Sequence, residues 1–344
     1  HAPKAEVTAI ADDSTFEFLP VPGADGKPIR ISGKRGNARF NAMYEMLSHF
    51  AKHRGIRGDK PSIFEDVRTK LPNSRQRILI LVGSYVEARA AAEHIERVRP
   101  DWRGQVLQLV ADDNEFESTW QGTNNTLQRG LVHQFAETDG WILVAPLLAV
   151  ERGHNILNEY DQAAIGAVYF LIRPHPRPDD INYAIQSINH WAVERYQYPH
   201  WQDNDEKQLH PVIATGAEFR QAAYSQWRHL LRLPMVYSTL PKAERDAVIW
   251  TQLVTIWQVI GRLIRGGSPA HVYFCDAAFA LRTADGTGSY EDASSSLLIG
   301  IRQVLEPYFD TASPISERDR KLVATLYGPL YQAIIRMKGL PKHV

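Results

Sequence analysis

The sequence predicts an α/β chain: a doubly wound parallel sheet with helices on both faces, a helical insertion and a helical carboxyl-terminal extension. Three observations point there. Apolar runs at 78–82, 106–110, 141–145, 167–172 and 271–275 are continuous rather than alternating, as strands covered on both faces require. Helical patterns lie between them. Polar or glycine residues follow their carboxyl ends, namely Gly83 and Ser84, Asp112 and Asp113, Pro146 to Asn155, and Asp276. Ligands of an open parallel sheet gather at such ends.

In chain order, residues 1–76 read as an accessory hairpin and helix. Phe16 to Leu19 and Ile29 to Ile31 flank Pro22-Gly23-Ala24-Asp25-Gly26, whose proline and Asp-Gly predict the hairpin turn. Asn37 is placed to cap a helix running to about His53, with Phe40, Met43, Tyr44, Leu47 and Phe50 as its apolar stripe. The sheet domain spans 77–280. After the first strand the pattern predicts a helix over 88–98, then the second strand, a helix near 126–138 and the third strand. The fourth strand follows a loop around Gly153, and the fifth comes after a largely helical insertion at about 182–249. That insertion interleaves Trp191, Tyr196, Tyr198, Trp201, Tyr224, Trp227 and Tyr237 with Arg195, Arg220, Arg228 and Arg232. Such a mixture suits either single-stranded bases or ordinary helix packing. Residues 281–344 form the helical extension, with apolar stripes at Leu297, Ile301, Leu305 and at Leu322, Leu326, Leu330, Ile334.

Composition limits the function. The chain has 344 residues, and its 39 basic and 39 acidic side chains cancel, so a nucleic-acid site must be a local basic surface. Cys275 is the single cysteine, which excludes an intrachain disulfide and suits a reducing compartment. The sequence shows neither an apolar run of about 20 residues nor a signal-peptide plan, so no membrane role is expected. The expected location is cytoplasmic or nucleoid-associated. A start at His1 suggests a piece of something longer.

The stretch with chemistry in it is Gln258-Val259-Ile260-Gly261-Arg262-Leu263-Ile264-Arg265. On a helix, Arg262 and Arg265 project from one face with Gln258 a turn earlier, while Ile256, Val259 and Leu263 point to a core. Guanidinium groups stay charged and fork onto phosphate oxygens, and Gly261 permits close approach. The bland reading is a basic helix end complementing its own dipole. The phosphate-loop spacing G-x-x-x-x-G-K-[ST] is absent from the sequence, so Asp112 and Asp113 read as a solvated turn rather than a magnesium pair. His190, His200 and His210 lack zinc-ligand spacing, and no metal site is expected.

The order of these pieces resembles the C-terminal RecA-like lobe of superfamily 2 helicases and translocases, over roughly residues 77–280. The segment 78–93, a strand followed by Gly83-Ser84-Tyr85 and an alanine-rich helix, is similar to the fourth helicase motif. Gln128-Arg129 leading to the run at 141–145, then Arg152-Gly153-His154-Asn155, is similar to the fifth. Residues 258–265 match the sixth, Q-x-x-G-R-x-x-R. Together with the proline-rich segment at 173–180, these are most similar to the XPD and DinG type. Asn155 stands where many relatives carry an acid, and Leu147-Leu148 where a Thr-Asp is frequent.

The resemblance implies the second motor lobe of an ATP-dependent helicase or translocase. Arg262 and Arg265 would be the catalytic arginine fingers, and Gln258, Gly261, Gly153 and Asn155 would border the nucleotide. Gly83, Ser84, Tyr85, Arg129, Pro146 and Leu147 would meet the nucleic-acid backbone. ATP with Mg2+ would be held mainly by an N-terminal helicase lobe, in cis or on a partner chain, and the 344 residues alone would be inactive. DNA is favoured over RNA as the track. The alternative is a catalytically inactive helicase-like scaffold for partner binding.

Overall fold

A computed structural model of the chain describes residues 14–55, 58–112, 125–151, 155–174, 185, 188–189, 191–193, 210–232, 237–286 and 290–341. It contains one seven-stranded sheet in the order β1-β7-β6-β2-β5-β3-β4. The strands are β1 (Thr15–Phe18), β2 (Arg77–Val82), β3 (Val106–Val110), β4 (Thr126–Gln128), β5 (Ile142–Pro146), β6 (Ile165–Phe170) and β7 (His271–Phe274). Every neighbouring pair is parallel. The α/β class is therefore as the apolar runs predict.

The uninterrupted runs are explained by burial on both faces. Ile78, Ile80, Val82, Val144, Tyr169 and Tyr273 share one apolar cluster with Met43, Phe50, Phe64 and Ile95, from α1 (Gly36–Ala51), α2 (Ile63–Lys70) and α3 (Tyr85–Val98). The alternate residues Leu79, Leu81, Val168, Phe170, Val272 and Phe274 point the other way and are buried too. On that face Phe170 stacks on Phe274 at 5.0 Å between ring centres, and Phe279 meets Phe274 edge-on at 5.0 Å. A strand with one wet face could not carry this pattern.

The remaining helices are α4 (Leu147–Glu151), α5 (His210–Arg232), α6 (Lys242–Leu263), α7 (Leu281–Ala284), α8 (Leu297–Leu305) and α9 (Glu317–Ile335). The chain divides into two compact units, His1–Pro174 with Gln252–Val344, and His175–Thr251. The boundary falls within α6. The second unit contains the helical stretch that the sequence marks off at about 182–249.

Four expectations need correction. Phe16 and its neighbours do not pair with 29–31 in a hairpin; they form β1, parallel to β7, with Thr15 opposite His271. The turn residues still close a small loop, through Gly23 N–H to Lys27 O at 2.7 Å and Ile29 N–H to Val21 O at 2.8 Å. Helix α1 starts at Gly36 after Arg35, so Asn37 lies inside its first turn and is not the cap. The segment 126–138 is not an α-helix: it is edge strand β4 followed by a 3-10 stretch, Arg129–Glu137. On α9 only half of the predicted stripe is covered, since Leu330 and Ile334 are buried while Leu322 and Leu326 are exposed.

The free side of β1 is also occupied. Phe18 N–H donates to Lys338 O at 2.8 Å and Lys338 N–H donates to Phe16 O at 3.0 Å, beyond the end of α9.

Candidate functional site

In a parallel sheet, residues that follow a strand and residues that precede one lie at opposite edges. That geometry divides the predicted site. Gly83, Ser84 and Tyr85 follow β2, Pro146 ends β5, Leu147 starts α4, and Arg129 follows β4. All six lie at the carboxyl edge. Arg262 is in the last turn of α6, and Arg265 belongs to a 3-10 turn, Arg265–Gly267, that precedes β7. These lie at the amino edge. The six residues of β2 separate the edges by about 20 Å, so a single small ligand does not touch both sets.

The amino edge is organised by Arg75, whose side chain is 1% exposed. Its Nε donates to Ala163 O at 2.7 Å, and its Nη2 donates to Ile165 O at 3.0 Å and Leu263 O at 2.5 Å. Its Nη1 donates to Pro269 O. One guanidinium thus ties the entry to β6, the last turn of α6 and the entry to β7. It satisfies a carbonyl that the helix end leaves open and places a cation where the helix dipole favours one.

Beyond Leu263 the helix stops. Gly266 and Gly267 take φ of 74° and 68°, a left-handed turn that side chains disfavour, and at Gly266 a Cβ would also come within 3.2 Å of Gln162 Cγ. The turn is held by Ala163 N–H to Arg265 O at 3.4 Å. Arg265 therefore lies past the helix and not on its face, which corrects the expected geometry. Gln258 and Arg265 are exposed and Arg262 is half-buried, while Ile256, Val259 and Leu263 are core residues as the spacing predicts. Asn155 belongs with this edge: its neighbour Ile156 accepts from Ala164 N–H at 2.9 Å, just before β6. Gly153 lies outside the described residues.

Gly261 is informative. A Cβ built there meets nothing within 4 Å. In a helix interior glycine costs about 1 kcal/mol relative to alanine, and no neighbour in the described structure demands it.

The carboxyl edge is polar, with most of its donors already engaged. Ser84 is the N-cap of α3, its Oγ accepting from Glu87 N–H at 3.2 Å. The Glu87 carboxylate accepts from Gly83 N–H at 2.8 Å and pairs with Arg39, whose Nε is 2.7 Å away. Arg39 Nη1 also donates to Ile31 O at 3.3 Å. The Gly83 amide therefore meets a carboxylate and not an incoming phosphate. Leu147 is buried, so its side chain is no strand contact. Burial pushes the Tyr85 hydroxyl above its ordinary range; Asp112 adds to this and Arg129 opposes it. Asp112 in turn accepts from Gly130 N–H at 2.6 Å.

Asp276, at the end of β7, is fully buried and accepts from the amides of Ser32 at 2.8 Å, Ala278 at 3.0 Å and Ile31 at 3.2 Å. It fastens the 29–32 segment to the sheet. Arg173 works beside it, donating through Nη1 to Ala278 O at 3.1 Å.

Sequence reasoning missed Arg75, Arg39 and Glu87. Glu87 had a signal, since Ser84-Tyr85-Val86-Glu87 is a capping pattern of Ser and Glu three apart. Arg75 had none, because its partners lie 88 and 188 residues downstream. Among the described residues no group of His, Cys, Asp and Glu could hold a metal ion, and no helix is long and apolar enough to cross a membrane.

The fold and these two edges define an α/β protein with a parallel sheet and a basic helix terminus. No protein-family model matches the chain, and no curated protein matches its sequence.

Proposed function

We propose that this chain is the second motor lobe of an ATP-dependent nucleic-acid helicase or translocase. The observation that carries the reading is the end of α6. There the octet 258–265 presents exposed Gln258 and Arg265 and half-buried Arg262 around a Gly261 with open space beside it, all on a terminus that Arg75 fixes to the sheet. In this reading the triphosphate and its Mg2+ are held by another lobe that docks at the amino edge. Charge spreads over the phosphoryl oxygens in the transition state, so arginines that arrive only when the lobes close stabilise that state selectively. The carboxyl edge, with Tyr85 and Arg129, faces the nucleic acid, DNA by preference. Triphosphate and track then bear on different edges of one rigid sheet.

The test is strand-stimulated ATP hydrolysis by the chain combined with a lobe that carries a phosphate loop. The chain alone is expected to be inactive. Arg265→Ala is expected to lower the rate roughly a thousandfold, about 4 kcal/mol of barrier. Turnover by the isolated chain, or an unaffected Arg265→Ala rate, defeats the proposal.

One observation favours the second reading, an inactive scaffold: the Gly83 amide and Ser84 hydroxyl are engaged internally by Glu87. A scaffold would bind its partner equally well with and without Arg265→Ala, and would show no ATP dependence.

A further inference from the structure

The second compact unit contains α5, and along one row of that helix stand Arg220, Tyr224 and Arg228, each four residues from the next. Residues at that spacing share a helix face. All three are exposed, Tyr224 at 62%. The Arg228 guanidinium carbon lies 5.9 Å from the centre of the Tyr224 ring, at the outer range of cation–π attraction. The helical rise sets the two arginine backbones about 12 Å apart, with the tyrosine midway.

Packing accounts for other residues of this helix. Trp227, Ala222 and Ala223 are half-buried, and His229 pairs with Glu244 at 2.8 Å. It does not account for an aromatic ring in water between two cations. Charge is concentrated here as well: α5 carries Arg220, Arg228 and Arg232 against Glu218 alone, in a chain whose formal charges cancel.

We propose that the row Arg220, Tyr224 and Arg228 binds single-stranded nucleic acid. Tyr224 stacks on a base and the two arginines take backbone phosphates on either side of it. An acidic peptide would satisfy the arginines but leave the ring between them without a planar partner, whereas every base offers a π-face. This contact is separate from the phosphate chemistry proposed for Arg262 and Arg265. It needs no nucleotide and no second lobe.

The experiment is fluorescence anisotropy of labelled oligothymidine with the full chain, without ATP, over a series of salt concentrations. Tyr224→Ala is expected to weaken binding about tenfold, since a base–aromatic stack contributes on the order of 1–3 kcal/mol. Tyr224→Phe keeps the ring and is expected to keep the affinity. An abasic strand of equal length should bind the unaltered chain as weakly as oligothymidine binds Tyr224→Ala. Replacing both Arg220 and Arg228 by Gln is expected to lower the slope of log affinity against log salt by about 1.4, two phosphates at roughly 0.7 each. Thermal melts that match the parent chain establish that these surface variants fold. Binding within twofold of the parent for Tyr224→Ala overturns the proposal. So does a polyglutamate peptide that binds as tightly as the oligonucleotide and responds equally to Tyr224→Ala. Because ATP hydrolysis is read through Arg265, failure here leaves the motor reading standing, and the reverse also holds.

Discussion

Replacing Arg75 by Met should cost the chain about 3–5 kcal/mol of stability. The side chain is 1% exposed and donates to carbonyls of Ala163, Ile165, Leu263 and Pro269. Hydrogen bonds from a charged donor each contribute roughly 1.5–3 kcal/mol, and the sum is offset by the cost of taking a guanidinium out of water. Methionine keeps much of the stem volume but leaves those carbonyls without their guanidinium donor, and breaking such a buried set typically destabilises by about 3–5 kcal/mol. Against a typical domain stability of about 5–15 kcal/mol that is a large fraction. The assay is urea unfolding, read as a shift in midpoint at unchanged slope. Arg75→Lys should recover less than half of the loss, because an ammonium is a point donor that does not fork to separate strands. Native-state hydrogen exchange should show the Ala163 amide, which bonds Arg265 O, losing protection first. A loss below about 1 kcal/mol for Arg75→Met would refute the view that this side chain holds the edge together.

Two further outcomes follow from the same geometry. Gly261→Ala should stabilise the isolated chain by up to about 1 kcal/mol, since the added methyl meets nothing within 4 Å, yet it should impair ATP hydrolysis once the missing lobe is supplied; normal hydrolysis would show that nothing approaches that face. At Glu65 the Arg99 guanidinium, followed by Ser62, holds the carboxyl at about 2, down from 4.5. The stability it contributes is complete above 4.5 and disappears as pH falls from there towards 2. After allowance for partial solvent contact this amounts to about 1–2 kcal/mol, so unfolding midpoints of Glu65→Gln should fall less steeply over that acid range than those of the parent.

The five longer strands were legible because residues buried on both faces leave continuous apolar runs. β1 and β4 were not. Phe16-Glu17-Phe18 sits beside strong local turn signals, while its true partner is near Val272, and no short-range pattern reports a pairing across that distance. β4 has three residues, too few for any period. The core side of α6 was readable from spacing, and so was the exposure of Gln258. The division of the site between two edges was in fact implicit in chain order, since Ser84 follows a strand and Arg265 precedes one. Reading both as neighbours came from grouping residues by chemistry before asking which way each strand runs. What order alone did not hold was the network of Arg39, Glu87, Arg75 and Asp276, whose partners are set by tertiary packing.

The pairing of Lys338 with the outer side of β1 bears on how this protein behaves at high concentration. A border strand with bare N–H and C=O groups is a template on which other chains can add and polymerise. Two main-chain bonds from beyond α9 mask that template at Phe16 and Phe18. A chain trimmed ahead of Lys338 would keep its interior yet acquire a sticky flank, and its solubility would decline before its folding did.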